Sequence, residues 1–277
     1  MSILHAIVLG IVQGLTEFLP ISSSGHLVLV PELLGWNDFG GNDTLNKAFD
    51  VALHLGTLVG AVWYFRRDLA GYLVAAGRSV TRRSVADPQA RIAWLLLLSA
   101  VPAAVVGAAL SSTIDEHLGR PILVGVMLIL GGLLLWWADH LDGTRSIEDY
   151  AARDATVMGI AQAIALQPGV SRSGVTITAG LWLGLDRIAA TRLSFLMSLP
   201  IIAGAGIFSA VRVAADGGLP AGSGPAFLAG FVAAGIAGWI AIAGLLSYLR
   251  TRTFMPFVWY RLVVGSAVIV IFATGLR

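Results

Sequence analysis

The sequence predicts an all-α polytopic membrane protein, with six transmembrane helices and two re-entrant helix pairs, about ten helices in all. Of the 277 residues, 57% are hydrophobic and only 12% are charged, with a mean hydropathy of +0.82. That composition is typical of multi-pass membrane proteins. Two apolar stretches are each interrupted by a polar break, and the second break repeats the first. A net charge of +2 gives no reason to expect a nucleic-acid partner, and the chain has no cysteine.

Six apolar segments approach or exceed the roughly 20 residues that a helix needs to cross a bilayer. They are 48–65, 92–111, 121–138, 188–211, 226–249 and 254–275. The loop 66–91 carries six arginines and two aspartates, so the positive-inside rule predicts that it is cytoplasmic. Following the chain from there places eleven arginines inside and four basic residues outside.

Two further apolar stretches, 2–35 and 155–185, are interrupted by the breaks 20–26 and 168–176, which leave arms too short to span a bilayer. They are predicted to enter the membrane and turn back. Backbone that is not helical is tolerated at that depth only where protein or a watery cavity surrounds it. With the orientation above, the first hairpin opens to the extracytoplasmic side.

An internal repeat predicts how the halves are related. Gly10-Ile-Val-Gln13 recurs as Gly159-Ile-Ala-Gln162, an offset of 149 residues. At that offset, three residues of one break match three of the other: Ser22, Ser24 and Gly25 match Ser171, Ser173 and Gly174. The pattern predicts one membrane domain built as an inverted repeat, with halves 1–140 and 155–277 and the two hairpins meeting near the midplane. The alternative is that segments rich in Gly, Ala and Ser look alike by composition.

The second break places Arg172 between two serines in an apolar region. A charged side chain there is costly, and is therefore a functional candidate. The next helix is predicted to begin at this turn, where free N–H groups and the positive end of the helix dipole favour an anion. The break is therefore predicted to bind phosphate. Ser171, Ser173 and Thr176 are the further candidate ligands.

The first break contributes a carboxylate to the same predicted site. Gln13 and Glu17 are four residues apart, so they share one helix face. Carboxylate and amide oxygens suit Mg²⁺ or Ca²⁺, especially a cation shared with phosphate oxygens. The other interpretation is that Glu17 forms an ion pair with Arg172, and the two are compatible.

Hydroxyls and one imidazole follow in the first break. His26 is a candidate for proton transfer near neutral pH. Ser23, which aligns with Arg172 in the repeat, is the candidate nucleophile. Ser22, Ser24 and Ser173 are expected to cap helices or to bind the ligand.

Four other polar residues lie in apolar segments. Arg192 and Arg261 are near span ends, and are expected to reach the interface or to pair structurally. Asp50 and His54 lie early in the first long span and are candidates for lining a cavity.

Both breaks resemble motifs of one known family. Residues 13–26 resemble the (Glu/Gln)-x-x-x-Glu motif and the serine–histidine turn of the undecaprenyl-diphosphate phosphatase family, the bacitracin-resistance proteins. Residues 168–176 resemble its Pro-Gly-x-Ser-Arg-Ser-x-x-Thr motif, and the likeness covers essentially the whole chain. Gln13 stands where many members carry Glu, which removes one negative charge.

The resemblance implies an enzyme of the bacterial inner membrane that removes the terminal phosphate of undecaprenyl diphosphate, recycling the lipid carrier of cell-wall synthesis. It implies that Arg172 holds the diphosphate, with the hydroxyls and Gln13 as further contacts. Glu17, with Gln13, would bind a divalent cation or position the attacking group. Ser23 or His26 would supply the nucleophile or the acid–base step.

Two other functions remain open at this point. A lipid flippase would also use an arginine at a midplane site between inverted repeats. A structural membrane protein would need the charged pair for stability alone. The expected partners are a polyprenyl diphosphate and membrane lipids, with a homo-oligomer as a further possibility.

Overall fold

The computed structural model describes residues 1–38, 42–117, 120–215 and 222–275, without the side chains of 43, 110–117, 212 and 214. All the regular structure in that part of the chain is helical, as predicted, with eleven α-helices and one short 3₁₀ turn. The α-helices are α1 (Ile3–Phe18), α2 (Ser23–Leu34), α3 (Asp43–Tyr64), α4 (Arg66–Arg82), α5 (Pro88–His117), α6 (Pro121–Asp139), α7 (Ala152–Ile164), α8 (Arg172–Trp182), α9 (Arg187–Ala215), α10 (Gly224–Tyr248) and α11 (Met255–Ala273).

The spans of a multi-pass membrane protein are present in the predicted order. Helices α5, α6, α9, α10 and α11 are each long and apolar enough to cross a membrane. The sixth span is less regular, because α3 is long enough at 22 residues but passes as a membrane span only together with α4, and the two are bent by 82°. Five to six spans therefore match the prediction by length and composition.

Helix α4 lies where the sequence indicates only a cytoplasmic loop. Its arginines suggest a solvated segment, but its apolar residues recur at helical spacing. Tyr72, Ala75 and Ser79 are buried on one face, while the arginines lie on the other. This amphipathic helix accounts for eleven helices instead of about ten.

The helices break at both predicted places. Residues 19–22 separate α1 from α2, and residues 165–171 separate α7 from α8. The first break is shorter than the interval 20–26 indicated by the sequence, so that Ser23, Ser24 and His26 are helical. None of the four arms exceeds 16 residues.

Each hairpin packs on a span from the other half of the chain. Helix α1 packs on α10, and α7 packs on α5, while α6 pairs with α11. Glycines allow the closest approaches: a Cβ at Gly14 would lie 2.5 Å from the Cβ of Ala237. This reciprocal packing supports the predicted division into halves 1–140 and 155–277, which stays a prediction.

Ion pairs connect helix ends. Arg192 Nη2 lies 3.1 Å from Asp68 Oδ2, which agrees with the structural pairing expected for it. Arg187 Nε lies 2.6 Å from Asp139 Oδ1, and joins α9 to α6. In the loop before α7, hydrogen bonds with Asp154 raise the pKa of Arg145, which also donates to the carbonyl oxygen of Leu183. These pairs fix the ends of helices whose middles are apolar.

We expect Gly56→Ala to lower the midpoint of thermal unfolding in detergent, followed by tryptophan fluorescence. A Cβ at position 56 would lie 2.2 Å from the carbonyl oxygen of Phe231, so α3 and α10 would have to separate. Overpacking of this kind costs about 1–3 kcal/mol. In the control Gly244→Ala, no atom lies within 4 Å of the new Cβ. That variant should gain about 0.5–1 kcal/mol from helix propensity. An unchanged midpoint in Gly56→Ala would contradict the close packing.

Candidate active site

The two breaks end in the same unusual backbone conformation. Ser22 has φ 77° and ψ 94°, and Ser171 has φ 72° and ψ 109°, in a region that residues other than glycine rarely adopt. Each hydroxyl accepts a hydrogen bond from the N–H of the glycine three residues later and caps the helix that follows. Strained residues of this kind concentrate at functional sites.

Only part of the capping prediction is confirmed. Ser22 caps α2 as expected, but Ser171, and not Ser173, caps α8. Ser173 lies inside the first turn of α8, where its hydroxyl donates to the carbonyl oxygen of Leu19 in the other break at 3.1 Å. Ser24 Oγ lies 3.4 Å from Ser22 Oγ.

The guanidinium of Arg261 holds the two breaks together. It donates to the carbonyl oxygens of Pro20 in the first break, and of Gly169 and Val170 in the second, at 2.9–3.2 Å. Two carbonyl oxygens of α6 accept from the same group at 3.0 and 3.3 Å. Arg261 is 0% exposed, so of the two alternatives expected for it, structural pairing is confirmed and a position at the interface is not. Carbonyls that lose their helical partners at the breaks accept from this side chain instead.

Glu17 is the point at which the hairpins meet chemically. Its Oε1 lies 2.9 Å from Nη2 of Arg172, which belongs to the other hairpin. Its Oε2 accepts a hydrogen bond from Ser23 Oγ at 2.5 Å, and another from Gln13 Nε2 at 3.0 Å. The expected ion pair therefore forms, and the same carboxylate holds the hydroxyl of the candidate nucleophile.

His54 completes this group from α3. Its Nε2 lies 3.5 Å from Oε2 of Glu17, and its Nδ1–H donates to the carbonyl oxygen of Asp50 at 2.7 Å. Sequence reasoning marked His54 only as a candidate for lining a cavity, and gave it no chemical role. A histidine at the start of an apolar span was the available signal.

These residues line a cavity of about 250 Å³. Its polar wall is formed by Thr16, Glu17, Ser22, Ser23, Ser24, His54, Ser171 and Arg172. Its apolar wall is formed by Val51, Ala165, Ile201, Ile202, Ala205 and Gly206. Charged groups and aliphatic groups thus face each other across one space, an arrangement suited to an amphiphilic ligand.

Four predicted site residues do not line this cavity. His26 points toward α11: its Nδ1–H donates to the Ser22 carbonyl oxygen at 2.7 Å, and Tyr260 donates to its Nε2 at 2.6 Å. Both nitrogens are therefore occupied, away from Ser23. The hydroxyl of Thr176 is 2.7 Å from Ser194 Oγ, inside the protein. Ser173 and Gln13 are not among the residues that line the cavity either.

The residues of this site would hold a metal ion only together with ligand atoms from the substrate. Among the described residues, no three His, Asp or Glu side chains cluster to hold a cation. One observation favours a cation shared with a ligand: Oε1 of Gln13 is buried without a hydrogen-bond partner, on the amide that donates to Glu17. Two protein oxygens, from Gln13 and Glu17, fit a Mg²⁺ or Ca²⁺ whose other ligands are phosphate oxygens and water.

Comparison with known proteins agrees with this site. Residues 6–267 match the family described as Bacitracin resistance protein BacA. The chain belongs to the BacA family. It is similar to proteins named undecaprenyl-diphosphatase from Pelobacter propionicus, with 48% identity over 100% of this chain and 99% of the relative, and from Pelotomaculum thermopropionicum, with 45% identity over 99% and 98%. The protein of that name from Geobacter sulfurreducens is 46% identical over 97% of this chain and 98% of its own length.

The range that matches the BacA family also contains two functional candidates that lie outside both motifs. Tyr260 and Arg261 lie inside the matched range, on α11, where they contact His26 and both breaks. A Tyr-Arg pair within an apolar span is a recognisable signal, because a charge at that depth is functional by default. The sequence places Arg261 seven residues into the predicted span 254–275, close enough to its start for a position near the interface to be expected.

We expect Arg261→Met to unfold at a markedly lower temperature than the wild type. Each buried carbonyl left without a donor costs about 1–3 kcal/mol of stability. The sum over these carbonyls exceeds the desolvation cost that is saved when the charged guanidinium is removed. Arg250→Met, which removes an exposed arginine after α10, is the matched control. Differential scanning fluorimetry in detergent measures both. Equal midpoints would refute the role assigned to Arg261.

Proposed function

We propose that the chain hydrolyses undecaprenyl diphosphate to undecaprenyl phosphate and inorganic phosphate, and so returns the carrier lipid to cell-wall synthesis. One observation carries the proposal: the hydroxyl of Ser23 donates to Glu17 in a cavity that Arg172 also lines. A hydroxyl held by a carboxylate beside a fixed cation suits phosphoryl transfer. The names of the relatives point to the same reaction.

Ser23 and Glu17 begin the reaction. Ser23 Oγ attacks the terminal phosphorus, and Oε2 of Glu17 takes the hydroxyl proton. The bond from that phosphorus to the bridging oxygen breaks, and undecaprenyl phosphate leaves with the electron pair. Water then attacks the phosphoserine and gives a proton to Glu17, the bond from Ser23 Oγ to phosphorus breaks, and Glu17 returns that proton to Oγ as inorganic phosphate leaves.

Arg172 and the helix ends neutralise the charge that develops. Nη2 of Arg172 is engaged by Glu17, while Nη1 makes only a 3.4 Å contact with the carbonyl oxygen of Ser194, so Nη1 is the group available to the diphosphate. Helices α2 and α8 begin at Ser23 and Arg172. Their N-terminal N–H groups supply further donors for an anion.

His54 receives the proton that Glu17 takes from Ser23. Because Nδ1–H donates to a backbone carbonyl, the lone pair of Nε2 faces Oε2 of Glu17. Transfer of the proton to His54 restores the carboxylate. Glu17 is then free to take the proton of the attacking water. Each of the two displacement steps needs a proton acceptor, and with His54 present Glu17 can serve in both.

A divalent cation is part of the proposal. Mg²⁺ or Ca²⁺ would be held by Glu17, Oε1 of Gln13 and the diphosphate, and would neutralise charge on the phosphate oxygens. The bacterial inner membrane is the proposed location. An opening of the cavity to the extracytoplasmic side is supported by the six arginines of residues 66–91, because the positive-inside rule favours a cytoplasmic position for that segment.

The flippase alternative is less well supported. A flippase needs to bind and release a lipid phosphate, for which Arg172 alone would serve. It has no use for a carboxylate that accepts the hydroxyl proton of Ser23 at 2.5 Å. Phosphate release in detergent, where no sidedness exists, separates the two functions. Lipid binding by the purified wild type without phosphate release, in the presence of Mg²⁺ or Ca²⁺, would favour the flippase.

Ser23→Ala should lose turnover of undecaprenyl diphosphate by about 10³-fold or more, because among the described residues no other hydroxyl is held by Glu17. Ser24→Ala is the matched control, since Ser24 lines the same cavity but its hydroxyl is hydrogen-bonded to Ser22 and not to Glu17. Its turnover should stay near that of the wild type. Phosphate release from the purified proteins is the measurement. Retained turnover in Ser23→Ala would exclude the serine as nucleophile.

His54→Leu should lower kcat about 10²-fold with little change in KM, because a proton acceptor is lost while the contacts to the diphosphate remain. His54→Gln should recover part of the rate, since its amide can hydrogen-bond to Glu17. His140→Leu, at the end of α6 and outside the cavity, is the control. Steady-state kinetics on all three variants decide the matter. A kcat within twofold of wild type in His54→Leu would remove His54 from the mechanism.

A further inference from the structure

The apolar wall of the cavity is formed mainly by two spans. Val51 comes from α3, while Ile201, Ile202, Ala205 and Gly206 come from α9. Helices α3 and α9 pack together along this line. The reaction assigned to the polar wall makes no use of these residues, so the seam between α3 and α9 is available for another part of the substrate.

The seam leads from the cavity to the outer surface of the protein. Ala205 lines the cavity, and is also exposed. Beside it on α9, Ile207 is 67% exposed and Phe208 is 69% exposed, on an apolar helix long enough to span a membrane. The surface next to Ala205 therefore faces lipid. Ala205 thus belongs both to the lining of the cavity and to the exposed surface of α9.

Glycine sets the width of the seam. A Cβ at Gly206 would lie 2.3 Å from Cδ2 of Leu55 on α3, so any larger residue there must displace the leucine. Gly204, two residues earlier on α9, has no atom within 4 Å of such a Cβ. The two glycines thus differ in what surrounds them, although they share a helix.

We propose that the first isoprene units of the substrate leave the cavity through the seam between α3 and α9, over Ala205, with Gly206 and Leu55 setting the width of the exit. The inference rests on the proposed function. Exposing an apolar chain to water costs about 0.8 kcal/mol for each CH₂, so the chain must stay in apolar surroundings from the diphosphate outward. Of the six aliphatic residues and glycines that line this cavity, five come from α3 and α9.

The seam makes the proximal part of the chain the determinant of specificity. A slender alkyl or prenyl chain is expected to pass between α3 and α9, whereas a diphosphate that carries a ring next to its oxygen is expected to be a poor substrate. The far end of the chain lies in the bilayer and touches no part of the cavity. Chain length beyond the first units should therefore matter little, and branching near the diphosphate should matter strongly.

Narrowing the seam tests the route by kinetics. In Gly206→Leu, kcat/KM for undecaprenyl diphosphate should fall at least about tenfold, while that for a short, water-soluble alkyl diphosphate stays within about threefold. Gly204→Leu should change neither. An unchanged kcat/KM for the lipid in Gly206→Leu would overturn the inference. An equal loss with both substrates would overturn it too, because it would show damage to the polar wall.

Chemical labelling tests the route independently of turnover. The chain has no cysteine, so Ala205→Cys introduces a single thiol at the exit. In a Ser23→Ala background, undecaprenyl diphosphate should slow its reaction with a membrane-soluble maleimide several-fold, and inorganic diphosphate should not. Ile207→Cys, which is exposed on the opposite side of the same helix because it lies two residues from Ala205, should not be protected.

The two measurements separate failure of the inference from failure of the proposed function. Protection of Ala205→Cys, combined with no phosphate release by the wild type, would keep the route and overturn the hydrolase. Phosphate release by the wild type without protection would keep the hydrolase and overturn the route.

Discussion

Two interrupted helices inside a membrane impose the constraint on which this structure depends. Each interruption frees backbone carbonyls that lipid cannot satisfy. The protein meets this demand with one guanidinium, because Arg261 donates to carbonyls of both breaks and to α6. A donor common to both breaks fixes their separation. The 2.9 Å contact between Glu17 and Arg172 depends on that separation, and so does everything that the cavity does.

The serine caps explain how an anion site forms with few charges. Ser22 and Ser171 hold the same strained conformation, and each starts a helix beside the cavity. Helix N-termini then supply backbone donors that carry no net charge and add little desolvation cost. Only Arg172 and Glu17 bring full charges, and they neutralise each other before a ligand arrives. The two capping serines therefore explain both the strained backbone of the breaks and the small number of charged side chains at the site.

The parts of the fold and of the site that could be predicted are those that appear in the sequence as a pattern or a spacing. Long apolar runs gave the spans, and the offset of 149 residues brought Glu17 and Arg172 together in the prediction. The position of His26 was beyond such reasoning, because the rotation of α2 is fixed by its packing against α6 and by the hydrogen bond from Tyr260, 234 residues away. Helix α4 was missed because charge suggested a loop where spacing indicated an amphipathic helix. His54 became significant only when α3 packed beside α1.

Arg261 is also placed late in the chain, and that position has a consequence for biogenesis. Pro20 and Gly169 leave the ribosome long before Arg261, so neither break has its donor while the earlier helices are being inserted. The hairpins therefore reach the bilayer before their final geometry is available to them. Maturation of the active protein has to wait for the last helix, and a ribosome that stalls before α11 would leave behind an inserted chain without a working centre.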